Sequence, residues 1–254
     1  MRILLRRYAG HGDILCLTSA LPGLRQRYPD AEIHFQTEQG YGDLVLGHPE
    51  IHQVWETIDN VPAEKLAHFD LVFEPDHGLE WNDAICKVQC RMLGVTFSPL
   101  QLYLHSDEAA AAPVSDVCVA NYTANERTYP QMKQTVQHLL DWGWNTLQID
   151  SGPNLGCHQP QLTMREAAAA IARTRVLLTV DTAAMHVGVA LQKPMVIVFG
   201  ALTGTHNQYV PDAWLTRTTD APDWIAGLVT RRLKGMPLIT GTRYTDAVGE
   251  AHEA

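Results

Sequence analysis

The chain has no uninterrupted apolar run of the length a membrane-spanning helix needs. Its most apolar stretch, residues 176–202, is broken by Asp181, His186, Gln192 and Lys193. Basic side chains are also scarce, 19 against 28 acidic ones, for a net charge of -9. Binding to nucleic acid through phosphate contacts usually calls for the opposite balance, so nucleic acid is not an expected partner. Cysteine is sparse and odd in number: Cys16, Cys86, Cys90, Cys118 and Cys157. That set makes no disulfide framework and reads as buried thiols in a reducing, cytoplasmic compartment. Cys86 and Cys90 lie one helical turn apart, but no second close Cys/His pair accompanies them, so no metal site is expected. The turn Gly10-His11-Gly12-Asp13 is succeeded by Ile14 and Leu15 and lacks the third glycine of a dinucleotide fingerprint, which argues against a nicotinamide dehydrogenase.

What is present is a globular composition, 46% apolar and 19% charged, enough for a packed core. The opening MRILLRRYAG has the basic residues of a signal peptide, but Ile3 to Leu5 is too short for its apolar region, and Asp13 interrupts any extension of that region toward Ile14. It reads instead as a buried first strand over residues 3–7. Ile14, Leu17, Leu21 and Leu24 then recur at helical spacing, with Pro22 expected to kink or restart the helix after Ser19. A second strand over 31–36 completes a strand–helix–strand unit, the signature of a parallel sheet. Strands are expected near 51–55 and 71–73, and a helix over 83–93.

The segment SDEAAAAPVS, residues 106–115, is small, polar and proline-containing and reads as a linker. After it the alternation restarts. Strands are expected over 117–120, 146–149, 176–180 and 195–199. Helices are expected over 130–143, 164–173, 183–191 and 222–233. Thr163 and Glu166 form a capping box for the second of these. The prediction is an α/β chain of two Rossmann-like domains, 1–108 and 115–254, their parallel sheets facing a central cleft.

Three groups fall at strand-to-helix turns. The first is Gly10-His11-Gly12-Asp13. Gly10, His11 and Gly12 suit a turn that a ligand approaches closely, and Asp13 is either a helix cap or a base. The second is Arg127-Thr128-Tyr129-Pro130, where Arg127 is either a solvated charge or a phosphate clamp. The third is Asp181-Thr182-Ala183-Ala184-Met185-His186. Its helix start offers unpaired N–H groups to a phosphate, and His186 lies one turn on. The plain reading makes Asp181 or Thr182 a cap and His186 a satisfied half-buried side chain. Glu74, Asp76, His77 and Glu80 read either as a polar loop or as further acid/base groups. Trp55 and Trp81 could stack on a sugar, although core packing accounts for most of the tryptophans.

Together these groups resemble glycosyltransferase family 9, the ADP-heptose:lipopolysaccharide heptosyltransferases. The stretch RILLRRYAGHGDILCLTSALPGLRQRYPDAEIHF is similar to the family's opening strand, Gly-Asp turn and helix. LTMREAAAAIARTRVLLTVDTAAMHVGVALQKPMVIVFG is similar to its nucleotide-binding core with the D-T-x-x-x-H pattern. ERTYPQMKQTVQHLLDWGW is similar to its Lys-x-Trp-Pro helix start. Ala183 stands where the family has glycine, Tyr129 where it has tryptophan, and Ala201-Leu202 where it has Pro-Thr.

The resemblance implies the GT-B architecture and an inverting, metal-independent transfer from a nucleotide diphosphate sugar, with no cofactor beyond that donor. It implies Asp13 as general base. Arg127, Asp181, Thr182, Ala183 and His186 would hold the donor's diphosphate or nucleoside, with Gly200 and Thr203 in a nucleotide loop. The acceptor could be a glycan, a protein side chain or a small molecule, and peripheral membrane contact stays open. The alternatives are a nucleotide-sugar epimerase or hydrolase on the same scaffold, or a non-catalytic nucleotide-sugar-binding subunit.

Overall fold

The structure is a computed structural model. It describes residues 1–56, 66–75, 85–122, 128–199, 213–217 and 219–236. The chain divides into two compact units, Met1–Leu104 and His105–Ala254.

In the first unit, β1 (Arg2–Arg6), β2 (Glu32–Thr37), β3 (Gln53–Glu56) and β4 (Leu71–Phe73) form one sheet. Its order is β3-β2-β1-β4, and every pair is parallel. Strands covered on both faces read as continuous apolar runs, and Ile3, Leu4 and Leu5 are all buried. Ile3, Leu5, Ile33 and Phe35 form one core with Ile14, Leu17, Leu21 and Leu24 of the helical layer. That layer breaks where proline requires it: α1 (His11–Leu17) passes into a single 3₁₀ turn, and α2 (Leu21–Arg27) begins with Pro22 in its first turn. α3 (Ile85–Leu93) packs on α1, its buried face including Cys86 and Cys90.

The expected linker is a correction. Residues 106–111 form a helix, α4 (Ser106–Ala111), that belongs to the second unit. It is fastened to α6 (Met164–Arg173) at both ends. Arg165 grips Glu108 with two hydrogen bonds, 2.5 and 2.9 Å. Arg173 donates to the carbonyls of Ala110 and Ala112, both at 2.6 Å, which satisfies the open end of the short helix.

The second sheet is also wholly parallel, with order β6-β5-β7-β8-β9. Its strands are β5 (Val117–Ala120), β6 (Thr146–Gln148), β7 (Val176–Thr179), β8 (Met195–Phe199) and β9 (Ala213–Arg217). The sequence pattern does not announce β9. The helices of this unit among the described residues are α4, α5 (Met132–Asp141), α6, α7 (Ala183–Ala190) and α8 (Pro222–Leu233). The Thr163–Glu166 capping box forms as expected. Thr163 Oγ1 accepts from the Glu166 amide at 3.2 Å, and Glu166 accepts from the Thr163 amide at 2.7 Å. At Gly188 a Cβ would lie 2.4 Å from Met195 Sδ and 2.7 Å from Leu177 Cδ2, so only glycine lets α7 sit this close to β7 and β8.

Candidate active site

Each sheet has a point where successive strands leave in opposite directions, and ligands of α/β proteins bind at the carboxyl ends there. In the first sheet it lies between β1 and β4, in the second between β5 and β7. The turn ending at Asp13 comes after β1, and the turn Asp181–Thr182 comes after β7.

Asp13 is not the cap of α1. Gly10 is, at φ 88°, and Asp13 sits in the first turn of the helix. Its carboxylate forms an ion pair with Arg7, which is almost fully buried, while the Asp13 side chain keeps about 30% of its surface exposed. Gly10 is required twice over. Its backbone lies in the left-handed region, and a Cβ there would come within 3.1 Å of Asp13 Oδ2. His11 turns the other way, toward the loop after β2. Its Nε2 meets the Gly40 carbonyl at 3.0 Å and Asp43 Oδ1 at 3.6 Å, and its ring lies 4.6 Å from that of Tyr41. Gly12 is buried in the helix.

Behind this turn, Arg6 is also fully engaged. It donates to Gln36 Oε1 at 2.8 Å, to Glu74 Oε2 at 2.7 Å and to the Tyr8 hydroxyl. Burial, reinforced by Glu74, pushes the Tyr8 phenol up from its usual range. Glu74 is thus part of an ion pair rather than a free acid/base group. Asp76, His77, Glu80 and Trp81 lie outside the described residues, and Trp55 donates its indole N–H to His34 at 3.3 Å.

In the second unit Thr182 caps α7, its hydroxyl oxygen accepting from the Ala184 amide at 3.0 Å. Ala183 opens the helix, and Asp181 and His186 are both buried. Thr182 therefore has the plain capping role, with its O–H still able to donate to a ligand. Arg127, Gly200 and Thr203 lie outside the described residues.

One feature of this edge is not foreseen by the sequence reading: a cavity. About 260 Å³ in volume, it opens at the carboxyl ends of β5 and β6, and its lining includes Asn121, Tyr122, Lys133, Asp150, Asn154 and Leu155. Asp150 builds its wall. One carboxylate oxygen accepts from the amides of Asn121 (2.5 Å) and Tyr122 (3.0 Å), the other from Gln148 Nε2 (2.8 Å) and the Gly152 amide (3.0 Å). This one side chain ties the loop after β5 to the loop after β6. Lys133, in the first turn of α5, brings a cation to the cavity and has no ion-pair partner among the described residues. The Asp-Ser-Gly-Pro-Asn turn at 150–154, directly after a strand, is the signal that could have found this wall.

Among the described residues one group has metal-ligand spacing, Glu32, His34 and His52, with ligand atoms within 4.8 Å of one another. It lies at the amino ends of β2 and β3, away from Asp13. Because the Trp55 indole can only donate, His34 Nδ1 is an acceptor and the neutral ring carries its proton on Nε2, the atom facing Glu32. A cation there requires that proton to leave and the indole to turn aside.

Comparison with known proteins bears on the fold and on part of the second unit. Residues 157–216 match the sequence model of glycosyltransferase family 9 (heptosyltransferase). No curated protein matches the chain. Among solved structures, E. coli ADP-heptose lps heptosyltransferase II is similar at TM-score 0.70 and 14% identity, over 92% of this chain and 99% of that one. E. coli heptosyltransferase WaaC, solved with ADP, is similar at TM-score 0.69 and 14% identity, over 91% and 100%. The iron-containing dodecameric glycosyltransferase TibC from enterotoxigenic E. coli is similar at TM-score 0.65 and 14% identity, over 98% and 75%. The fold of these structures is the GT-B fold, and this chain shares it. The match over residues 157–216 makes that part of the second unit similar to glycosyltransferase family 9. No helix among the described residues is long and apolar enough to cross a membrane.

Proposed function

We propose that the chain transfers a glycosyl group, with inversion and without a metal, from a nucleotide diphosphate sugar to an acceptor hydroxyl. The first unit takes the acceptor and the second takes the donor. The observation that carries this reading is Asp13, a partly exposed carboxylate on the β1 turn, held in a fixed direction by a buried arginine.

The acceptor hydroxyl loses its proton to Asp13 as its oxygen bonds to the anomeric carbon. The bond from that carbon to the diphosphate breaks on the opposite face, and the nucleoside diphosphate leaves with the electron pair. Positive charge grows on the sugar ring and negative charge on the leaving group, so fixed donors at the diphosphate lower the barrier. Lys133 at the cavity, the Thr182 hydroxyl at the head of α7, and Arg127 are the groups for that task. Asp181, His186, Gly200 and Thr203 are the further residues assigned to the donor by the resemblance. The cavity has room for a nucleoside, with Tyr122 as a flat wall.

The heptosyltransferases it resembles make ADP-heptose the first donor to supply. In the test, ADP-heptose is incubated with the full chain and a panel of glycan, peptide and small-molecule acceptors, and ADP release and product mass are monitored. The reading expects acceptor-dependent ADP release that Asp13→Asn lowers by about 10²–10⁴-fold, the usual range for a general base. Turnover of the sugar nucleotide without any acceptor would favour an epimerase or hydrolase instead.

A further inference from the structure

We infer that Asn121 is a positioning residue for the donor: its side-chain amide fixes the head of α5 against the end of β5 and thereby holds Lys133 at the cavity. This deepens the transferase reading and rests on it.

Lys133 stands in the first turn of α5, so its place at the cavity is only as fixed as that turn. The turn does not fix itself. Gln131, in the cap position, makes no capping hydrogen bond with its side chain, and Pro130 before it has no N–H to give. The anchor is Tyr129. Its carbonyl accepts from the Met132 amide at 3.1 Å, which makes Tyr129 part of the opening turn. Its ring is fully buried in the core of the second unit, and its O–H donates to the Asp220 carbonyl at 2.7 Å, just ahead of α8.

Asn121 supplies the link from that anchor to the sheet. It directly follows β5, and its amide spans the backbone of Tyr129. Oδ1 accepts from the Tyr129 N–H at 2.8 Å, and Nδ2 donates to the Tyr129 carbonyl at 3.2 Å. A backbone N–H can only donate and a C=O can only accept, so the two bonds together fit one orientation of the amide. Asn121 is itself tied down, its own N–H donating to Asp150 Oδ2 at 2.5 Å. A continuous set of hydrogen bonds thus runs from Asp150 through Asn121 and Tyr129 into the first turn of α5. Asp150, Asn121, Tyr129 and Lys133 all line the cavity.

A side chain that only shaped the cavity would bear on every part of a bound nucleotide. One that acts through Lys133 bears on the diphosphate, because a cation strengthens hydrogen bonds to charged oxygens above all.

The test is calorimetry of the full chain with the nucleoside diphosphate that it binds best among ADP, GDP, UDP and CDP, and with the matching nucleoside. Asn121→Ala should weaken the diphosphate about tenfold and the nucleoside by less than about twofold. Lys133→Ala should show the same split. The double variant should be no more than about twofold weaker than the weaker single variant, as two residues acting through one contact require. Asn121→Ser, whose shorter side chain cannot span both backbone groups, should give the same split and takes the place of the alanine variant if that one does not fold. Equal losses for diphosphate and nucleoside in the Asn121 variants overturn the inference, as do unaltered affinities or losses that multiply in the double variant. If Lys133→Ala changes nothing while the wild type binds a diphosphate, the inference falls and the transferase reading stands. If the wild type binds none of the four, both fall.

Discussion

Arg7 and Asp13 form an ion pair across the tight turn that joins β1 to α1, with Gly10 in the left-handed region between them. The pair fixes the direction of a carboxylate that stays partly open to solvent, which is what a base awaiting a hydroxyl needs. Asp13→Asn should therefore do two separable things. Turnover falls by about 10²–10⁴-fold, and stability falls by roughly 1–2 kcal/mol, because the buried Arg7 loses a charged hydrogen-bond partner. Nucleoside diphosphate affinity should not change. Calorimetry beside a rate assay checks all three, and a variant with full turnover removes Asp13 from the chemistry.

Gly10 gives a backbone test of the same turn. At φ 88° an L-residue is strained, and the added Cβ would press on Asp13 Oδ2. Gly10→Ala is expected to cost about 1 kcal/mol or more of stability and to lower turnover more than the stability loss explains. Denaturant midpoints and kcat measured on one preparation separate the two effects.

The cavity proposed for the donor depends on Asp150 for its shape and on Lys133 for its charge. Asp150→Ala frees the Asn121, Tyr122 and Gly152 amides and unties two loops, so both stability and nucleotide affinity should fall. Lys133→Ala should leave stability within about 1 kcal/mol of wild type, as exposed charges usually do. It should weaken a nucleoside diphosphate while leaving the bare nucleoside unaffected. Equal losses for both ligands would mean that Lys133 does not meet the diphosphate.

The Glu108–Arg165 contact predicts a pH effect on the second unit. The Arg165 guanidinium beside Glu108 holds its carboxyl below the usual carboxylate range. A depressed pKa in the folded state means stability that is fully present above the unfolded value of about 4.5 and is lost as pH falls through the lower, folded value. Glu108→Gln should thus melt below wild type at pH 7, with the gap closing as the pH is taken below about 4. A gap that stays constant would show that the pair does not couple protonation to folding.

Much of this architecture is legible in residue order. Pro22 announces the break between α1 and α2, and Thr163 with Glu166 announces the start of α6, because both act locally, through a missing donor and a reciprocal cap. The helix α4 is not legible. Ser-Asp-Glu-Ala-Ala-Ala is as polar as a linker, and what makes it a helix is Arg165 and Arg173, which reach it from more than fifty residues away. β9 escapes a sequence reading because it depends on parallel pairing with β8, which no local pattern states. At the site, position is easier to read than role. Asp13 has the residue type of a cap, but Gly10 caps, and the carboxylate is left for Arg7. The Asp150 cavity stays hidden in the sequence because its wall is made by backbone amides gathered from two loops, a signal that exists only once the strands are side by side.

The most direct test of the account is a calorimetric titration of the full chain with ADP, GDP, UDP and CDP. A nucleotide-sugar glycosyltransferase should bind one of the four far more tightly than the others, in a metal-free buffer, and Lys133→Ala should weaken that one. Binding at about 100 times the dissociation constant would also raise stability by about 2.7 kcal/mol, visible as a higher melting temperature. No binding of any nucleoside diphosphate would contradict the assignment of the second unit as the donor site, and with it the proposed reaction.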